Sequence, residues 1–391
     1  MSYTLKEDQG IPTILLIVMA LATGFSVANC YYNQPLLDSI TSDLSIPEYE
    51  GSIISALTQL GYVIGLGLII PMGEVISKKR IIIADYICCI ISLLALSISK
   101  SLAIIKISSF VLGVSSVLPQ FFIPMVALYS SPSKKTINVG IMQSCLLVGI
   151  LASRFFSGLI SEYLSWESVY LFAAIIMVLC LLSIAIVFPN TKVSFHQNYW
   201  ETVKQMFSLL KHNRLLHVST ARAATAYASF FALWGCISFR MKESPFFASD
   251  DIIGCLGLCG LAGASAVLLI SKYIPKIGSR RLSIIGAFVI ILSWIIAFVF
   301  DGYYFGIIFP ILIIDAGMQG IHLSNQTGIV TAHSNNVNCL NTLYMILYFI
   351  GGITGTISSG IMWSLFHWNG TILIGIFFAA LSLAISFSIK E

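Results

Sequence analysis

Charged side chains are what this sequence has least of. Asp, Glu, Lys and Arg make up 10% of its 391 residues, against 57% apolar ones, and soluble domains carry about 25% charged residues. A soluble fold with a solvated surface is excluded by that shortage. Other things are missing as well. There is no Gly-rich phosphate loop ending in Lys-Ser/Thr, no HExxH and no GxSxG, so neither an ATP-driven pump nor a hydrolase has support. The nine cysteines include no CxxC and no Cys/His cluster at zinc spacing, so they read as small apolar packing residues and no metal or other cofactor is expected. No basic domain stands apart from the rest, and the net charge of +4 therefore implies no nucleic-acid partner.

What is present is apolar length. About 20 apolar residues are needed to cross a bilayer, and twelve runs qualify, at roughly 12–32, 51–72, 81–99, 103–129, 137–160, 167–189, 216–239, 252–271, 282–300, 303–330, 337–364 and 369–389. With the N-terminus inside, fifteen of the 21 Lys and Arg fall in cytoplasmic segments, the bias that fixes membrane orientation. Both termini are thus expected in the cytoplasm. The first run is too long for a signal-peptide core and is read as a retained span.

The chain also repeats itself. At an offset of 202, Gly149–Gly158 falls on Gly351–Gly360, Ser77-Lys78-Lys79 on Ser279-Arg280-Arg281, and Gly61 on Gly263. Six spans therefore repeat as six in the same orientation. The expected domains are a bundle at 1–189, a cytoplasmic linker at 190–215 and a second bundle at 216–391. Parallel repeats of this kind are a transporter architecture. In the linker, Trp200, Val203, Met206, Phe207 and Leu210 recur at helical spacing, which predicts an amphipathic helix on the inner membrane surface.

Inside the tenth run lies the densest polar stretch. Asp315, Gln319, His322 and Gln326 are spaced i, i+4, i+7, i+11, within about 60° of arc on one helix face. Such a stripe at bilayer depth faces a bundle interior or a water-filled cavity. Arg154 in the fifth run either holds Asp315 ionised or binds an anionic group of the substrate, while Asp315 and His322 are the candidates for carrying a proton. Asn29, Tyr32 and Gln34 at the end of the first run, and Asn341 in the eleventh, are weighed equally as substrate contacts or helix-end polar groups. Gln59, Gln120 and Gln143 read more readily as glue between helices. Arg222 and Lys106 are expected to snorkel toward a membrane surface. Asp85 is expected to pair with the basic residues Lys78 to Arg80.

At these residues the chain resembles the major facilitator superfamily, in particular its twelve-span bacterial efflux branch of drug/proton antiporters. The loop Pro71-Met72-Gly73-Glu74-Val75-Ile76-Ser77-Lys78-Lys79-Arg80 looks like the family's signature loop, with Glu74 where an aspartate usually stands. Glu74, Lys78, Lys79 and Arg80 are therefore read as a gate. Long strings around Asn29, Arg154 and Tyr344 are similar to one subgroup of permeases. The resemblance implies an all-α integral membrane protein of twelve transmembrane helices in two six-helix repeats. It further implies a monomer in a bacterial inner membrane that uses protons to export a small organic molecule across the lipid bilayer. Proton-coupled uptake and a non-transporting membrane sensor are the alternatives.

Overall fold

The computed structural model describes residues 5, 7–189, 199–211, 213–260, 274–332 and 337–388. Its first six spans are α1 (Thr13–Ala28), α3 (Glu48–Val75), α4 (Lys78–Ile98), the pair α5 (Leu102–Val114) and α6 (Pro119–Tyr129), α7 (Lys135–Tyr163) and α8 (Trp166–Val187), with a short α2 (Leu37–Asp43) between α1 and α3. The helix α9 (Tyr199–Ser208) follows. Then come α10 (Arg214–Lys242), α11 (Asp250–Leu256), the single turn α12 (Ile274–Ile277), α13 (Ser279–Val299), α14 (Phe305–Ala332) and α15 (Val337–Ser388). No strand occurs among the described residues.

Each of the twelve apolar runs coincides with helix, the eighth being described only as far as Gly260. Two departures from simple rods have identifiable causes. The fourth span breaks at Ser115–Leu118, where Ser115 and Ser116 hydroxyls bond back to Val111 and Leu112 carbonyls at 2.8 and 2.6 Å and Pro119 opens the next segment; proline has no N–H to continue a helical ladder. The eleventh and twelfth spans run into one another within α15, separated by a kink at His367 with φ 48°. Between α13 and α14 the chain turns at Asp301-Gly302, and Gly302 supplies the positive φ of 89° that the turn requires, a conformation glycine adopts without steric cost.

Among the described residues eight helices are long and apolar enough to cross a membrane, and α10 is not one of them. The reason is its position. Buried residues occur all round α10, from Leu216 through Met241, so it faces protein instead of lipid, and Ala, Ser, Thr and Gly replace the aliphatic side chains of a lipid-facing helix. Large side chains turned outward elsewhere, such as Ile91, Ile107, Leu179 and Phe298, form the surface that meets acyl chains.

Lipid tails are as apolar as leucine, so close packing and small residues, not water exclusion, hold such helices together. One buried cluster is built entirely from α1 to α8, around Leu15, Met19, Leu93, Phe122 and Met177. The other joins Tyr31 of the α1–α2 turn and Tyr62 of α3 to Trp234, Trp294 and Trp363. Gly149 lets α7 approach α1: a Cβ there would lie 2.2 Å from the Gly24 carbonyl oxygen. Gly351 and Gly355 of α15 do the same against α10, at 2.1 Å from the carbonyls of Ala224 and Ala228. The amphipathic linker helix is present as α9, where Met206 is buried, Trp200 stays exposed, and the Tyr199 hydroxyl donates to the Leu68 carbonyl at 3.0 Å.

Replacing Gly355 by Val places methyl groups where the Ala228 carbonyl now sits. Its thermal unfolding midpoint in detergent should fall, the loss corresponding to about 1–3 kcal/mol of overpacking; an unchanged midpoint would show that α10 and α15 are free to separate.

Candidate functional site

The four residues of the polar stripe share one wall. Asp315, Gln319, His322 and Gln326 all line a cavity of ≈ 390 Å³ enclosed by α1, α3, α6 and α7 on one side and α10, α14 and α15 on the other. From Asp315 to Gln326 the wall runs about 16 Å at 1.5 Å per residue. Arg154 reaches the same cavity from α7.

Arg154 is 2% exposed and is held by three groups. Its Nε donates to Gln34 Oε1 at 2.7 Å. Its guanidinium lies 3.9 Å from the Trp234 ring centroid and 5.2 Å from that of Tyr31, contacts worth about 2 kcal/mol or more when desolvated. Gly257 makes room for its stem, since a Cβ there would sit 2.5 Å from Arg154 Cβ. Asp315 faces Arg154 without forming an ion pair. A Cβ on Gly260 would lie 3.3 Å from Asp315 Oδ2 and 3.9 Å from Arg154 Nη1, so the two charges look at one another across a gap of less than about 7 Å. Of the two roles weighed for Arg154, direct pairing with Asp315 is not realised, and Gln34 and two aromatic faces hold the guanidinium instead.

His322 is fixed by Tyr344. The Tyr344 hydroxyl donates to the His322 carbonyl at 3.1 Å, and His322 Nδ1 is 3.1 Å from the same hydroxyl. One phenolic proton cannot serve both partners. When it goes to the carbonyl, Nδ1 carries the hydrogen and Nε2 is left as an acceptor. The ring also lies 4.4 Å from that of Tyr348. Further along, Gln326 Nε2 donates to Asn341 Oδ1 at 2.8 Å, so Asn341 orients a wall residue.

Other expectations are corrected. Asn29 points away from the cavity, its amide donating to Cys89 Sγ at 3.3 Å and Met177 Sδ at 3.5 Å, and Tyr32 belongs to the buried cluster of α1 to α8. Tyr31, one residue earlier, lines the cavity instead. Gln120 and Gln143 line it too, while the expected joining of helices holds for Gln59, which donates to Thr356 at 2.9 Å between α3 and α15, and for Gln120, which donates to the Tyr62 hydroxyl at 3.3 Å between α6 and α3. Arg222 is fully buried and does not snorkel. Lys106 pairs with Glu50 at 2.6 Å. Asp85 is buried with no hydrogen bond to either carboxylate oxygen, not paired with the basic loop. In the loop itself, Lys79 Nζ donates to the carbonyls of Ala185 and Phe188 at 2.9 and 2.6 Å, completing the end of α8. Arg280 does the same for the end of α15 through Ser386 and Phe387. Arg80 is exposed, and the Glu74 side chain lies outside the described ones.

Aromatic walls were not expected. Tyr227 stacks on Tyr348 with centroids 3.8 Å apart, and Tyr62 lies 4.7 Å from Phe349. Tyrosines scattered through apolar runs give no periodic signal, so only the proximity of Tyr344 and Tyr348 to Asn341 in sequence hinted at them.

One end of the cavity is sealed. Asp250 at the start of α11 accepts from Ser39 at 2.6 Å and Ser161 at 2.5 Å through Oδ2 and pairs with Lys242 at 2.8 Å through Oδ1. Its own N–H donates to Glu162 Oε2 at 2.9 Å. Trp363 Nε1 donates to Glu48 Oε2 at 2.6 Å. Glycines permit the approach: a Cβ on Gly158 would lie 2.3 Å from the Asp250 carbonyl oxygen, and one on Gly360 would lie 2.5 Å from Ser52 Cβ. From the Arg154–Asp315 level the cavity extends the other way, toward Gln143, Gln326 and Met345.

Apolar helices that enclose a polar cavity sealed at one end define a multi-pass membrane transporter. The chain belongs to the Major Facilitator Superfamily, whose family model matches residues 19–356. It is 32% identical over 380 residues to the uncharacterized transporter YgaY of Escherichia coli O157:H7, covering 97% of this chain and 96% of that one. Its identity to the probable transporter SCO4007 of Streptomyces coelicolor is 23%, over 91% and 83% of the two chains. Among solved structures, a bacterial homologue of the human lysosomal transporter Spinster, in an inward-facing and unoccupied conformation, superposes with a TM-score of 0.78 at 12% identity, over 97% and 98% of the chains. A mutant of the nucleoside transporter NupG gives 0.73 at 15%, over 96% and 98%. At these identities the structures speak to the fold alone. The family is one of transporters, not enzymes, which implies a small-molecule substrate.

Beside the seal, burial pushes the Asp38 carboxyl up from 3.8 to about 6, partly offset by Lys242 and reinforced by Glu48, Asp250 and Glu243. The sealed arrangement thus holds this proton more tightly than a solvated aspartate does. The stabilisation is present at low pH and is lost as pH rises from about 4 to about 6. Wild-type protein should show a higher unfolding midpoint at pH 5 than at pH 7, and Asp38→Asn should flatten that step; superimposable profiles for the two proteins would contradict the assignment.

Proposed function

We propose that the chain is a proton-coupled exporter of a small organic molecule, working as a monomer by alternating access in a bacterial inner membrane with both termini cytoplasmic. The moving parts are an N-terminal six-helix bundle at 1–189 and a C-terminal one at 216–391, joined by the cytoplasmic linker 190–215. With that orientation the seal around Asp250 and Glu48 is on the outer side, and the cavity faces inward.

The observation that carries this reading is that Arg154, from the first bundle, faces Asp315, from the second, in a cavity whose wall also carries His322, inward of the sealed interface. A charge placed at an interface that must move feels each change of packing around it. Ionised Asp315 and Arg154 attract one another across their gap, an attraction that strengthens in a desolvated site. Protonating Asp315 removes it, so the proton biases the relative position of the two bundles. His322, with an acceptor nitrogen free to take a second proton when Tyr344 bonds the carbonyl, extends the same path. Lys79 and Arg280 cap the last helix of their own bundles, and Glu74 is assigned the gating contact between bundles.

Ligands that raise the unfolding midpoint of purified protein can be tested in proteoliposomes loaded with a pH indicator. Asp315→Asn should still exchange such a ligand in counterflow while losing ligand-driven proton movement. Proton flux equal to wild type in that variant rules out coupling through Asp315.

A further inference from the structure

The two charges of the cavity have unused bonding capacity. Of the Arg154 donors only Nε is taken; among the described residues the two terminal nitrogens have no hydrogen-bond partner, although the residue is 2% exposed. The Asp315 carboxylate, 7% exposed, likewise accepts no hydrogen bond and joins no ion pair among the described residues. A buried charge without partners is costly. Here both signs are buried side by side, within about 7 Å, and kept apart. The gap is preserved by the absence of a side chain at Gly260, whose Cβ would stand in it at 3.3 Å from Asp315 Oδ2. Gln34 and the rings of Trp234 and Tyr31 hold the guanidinium through Nε and its faces, which leaves the fork of Nη1 and Nη2 as the part offered to a ligand.

Taking the central cavity as the substrate pathway, as proposed above, we infer that its substrate is a zwitterion of the α-amino-acid class with a large apolar or aromatic side chain. The carboxylate takes the two terminal N–H groups of Arg154 in the bidentate geometry that guanidinium favours. The ammonium donates to Asp315. These groups stand on adjacent carbons of an α-amino acid backbone, so one ligand satisfies both charges at once across a short gap. The side chain then lies along the rings of Tyr62, Tyr227 and Tyr348, and ≈ 390 Å³ holds one amino acid of this size. A simple organic cation leaves Arg154 facing a like charge, and a simple anion does the same to Asp315. The separated charges thus select against both by repulsion.

The test uses one side chain with three headgroups. Full-length protein in nanodiscs is titrated with L-phenylalanine, phenethylamine and 3-phenylpropionate, and binding is read by calorimetry and thermal shift. L-phenylalanine should bind at least about tenfold more tightly than either analogue, since each analogue leaves a buried charge unpaired. Arg154→Gln should remove the preference over phenethylamine, and Asp315→Asn the preference over 3-phenylpropionate. Wild-type protein that binds an analogue as tightly as L-phenylalanine, or binds none of the three, overturns the assignment without reliance on any variant. Radiolabelled counterflow in proteoliposomes separates this failure from that of the transport reading. Counterflow of phenethylamine without L-phenylalanine sinks the substrate class and leaves transport intact. Binding of L-phenylalanine without counterflow sinks transport and leaves the site.

Discussion

A guanidinium cannot lose its charge to escape a bilayer, and the middle of this molecule is arranged around that fact. Arg154 is enclosed by a glutamine oxygen, an indole and a phenol ring, drawn from two distant places in the chain: Gln34 and Tyr31 from the turn after the first span, Trp234 from the seventh. Gly257 and Gly260 of the eighth span withhold side chains where the arginine stem and the gap to Asp315 need room. The first, seventh and eighth spans therefore converge on one side chain of the fifth. Moving any one of them exposes the charge to an unprepared environment, which ties the relative position of the helices to the state of the site.

Close approach is the second constraint, and glycine meets it in two ways. Gly149 against Gly24, and Gly351 and Gly355 against α10, bring spans of the same group of six into backbone contact. Between the groups, at the sealed end, Gly158 meets the backbone of Asp250 and Gly254, and Gly360 meets the Ser52 side chain. The contacts of the second kind are reinforced by polar groups that water can replace: Asp250 with Ser39, Ser161 and Glu162, and Glu48 with Trp363. Packing of backbone on backbone is hard to open in lipid, whereas hydrogen bonds at a membrane surface exchange readily with solvent. The polar contacts are thus concentrated between the groups, at one end of the bundle.

Much of this was legible in the sequence. Twelve apolar runs mark the helices because each must satisfy its own backbone polar groups in lipid, and the offset of 202 pointed to repeated glycines that do make close contacts. The stripe of Asp315, Gln319, His322 and Gln326 was visible because helical periodicity alone puts them on one face. What failed was anything that depends on which way a helix turns in the bundle. Asn29 and Tyr32 end the first span beside Tyr31, yet only Tyr31 meets the cavity. Gln143 lines it while Gln59, an identical residue type in a similar apolar setting, bonds a threonine on α15, and Gln120 does both, lining the cavity and bonding Tyr62. Arg222 and Asp85 looked like groups near a membrane surface and are buried instead.

The sequence by itself determined that the chain lies in a membrane, how many times its apolar runs can cross, and which stripe cannot face lipid, because hydropathy and periodicity are properties of a single helix in a single solvent. Only the tertiary structure decided what those polar groups meet. Helix rotation and crossing are set by packing against neighbours far away in sequence, and it is packing that ties Arg154 to Gln34 and leaves a gap beside Gly260 between Arg154 and Asp315, where the sequence allowed either a bond to Asp315 or a site for an anionic group.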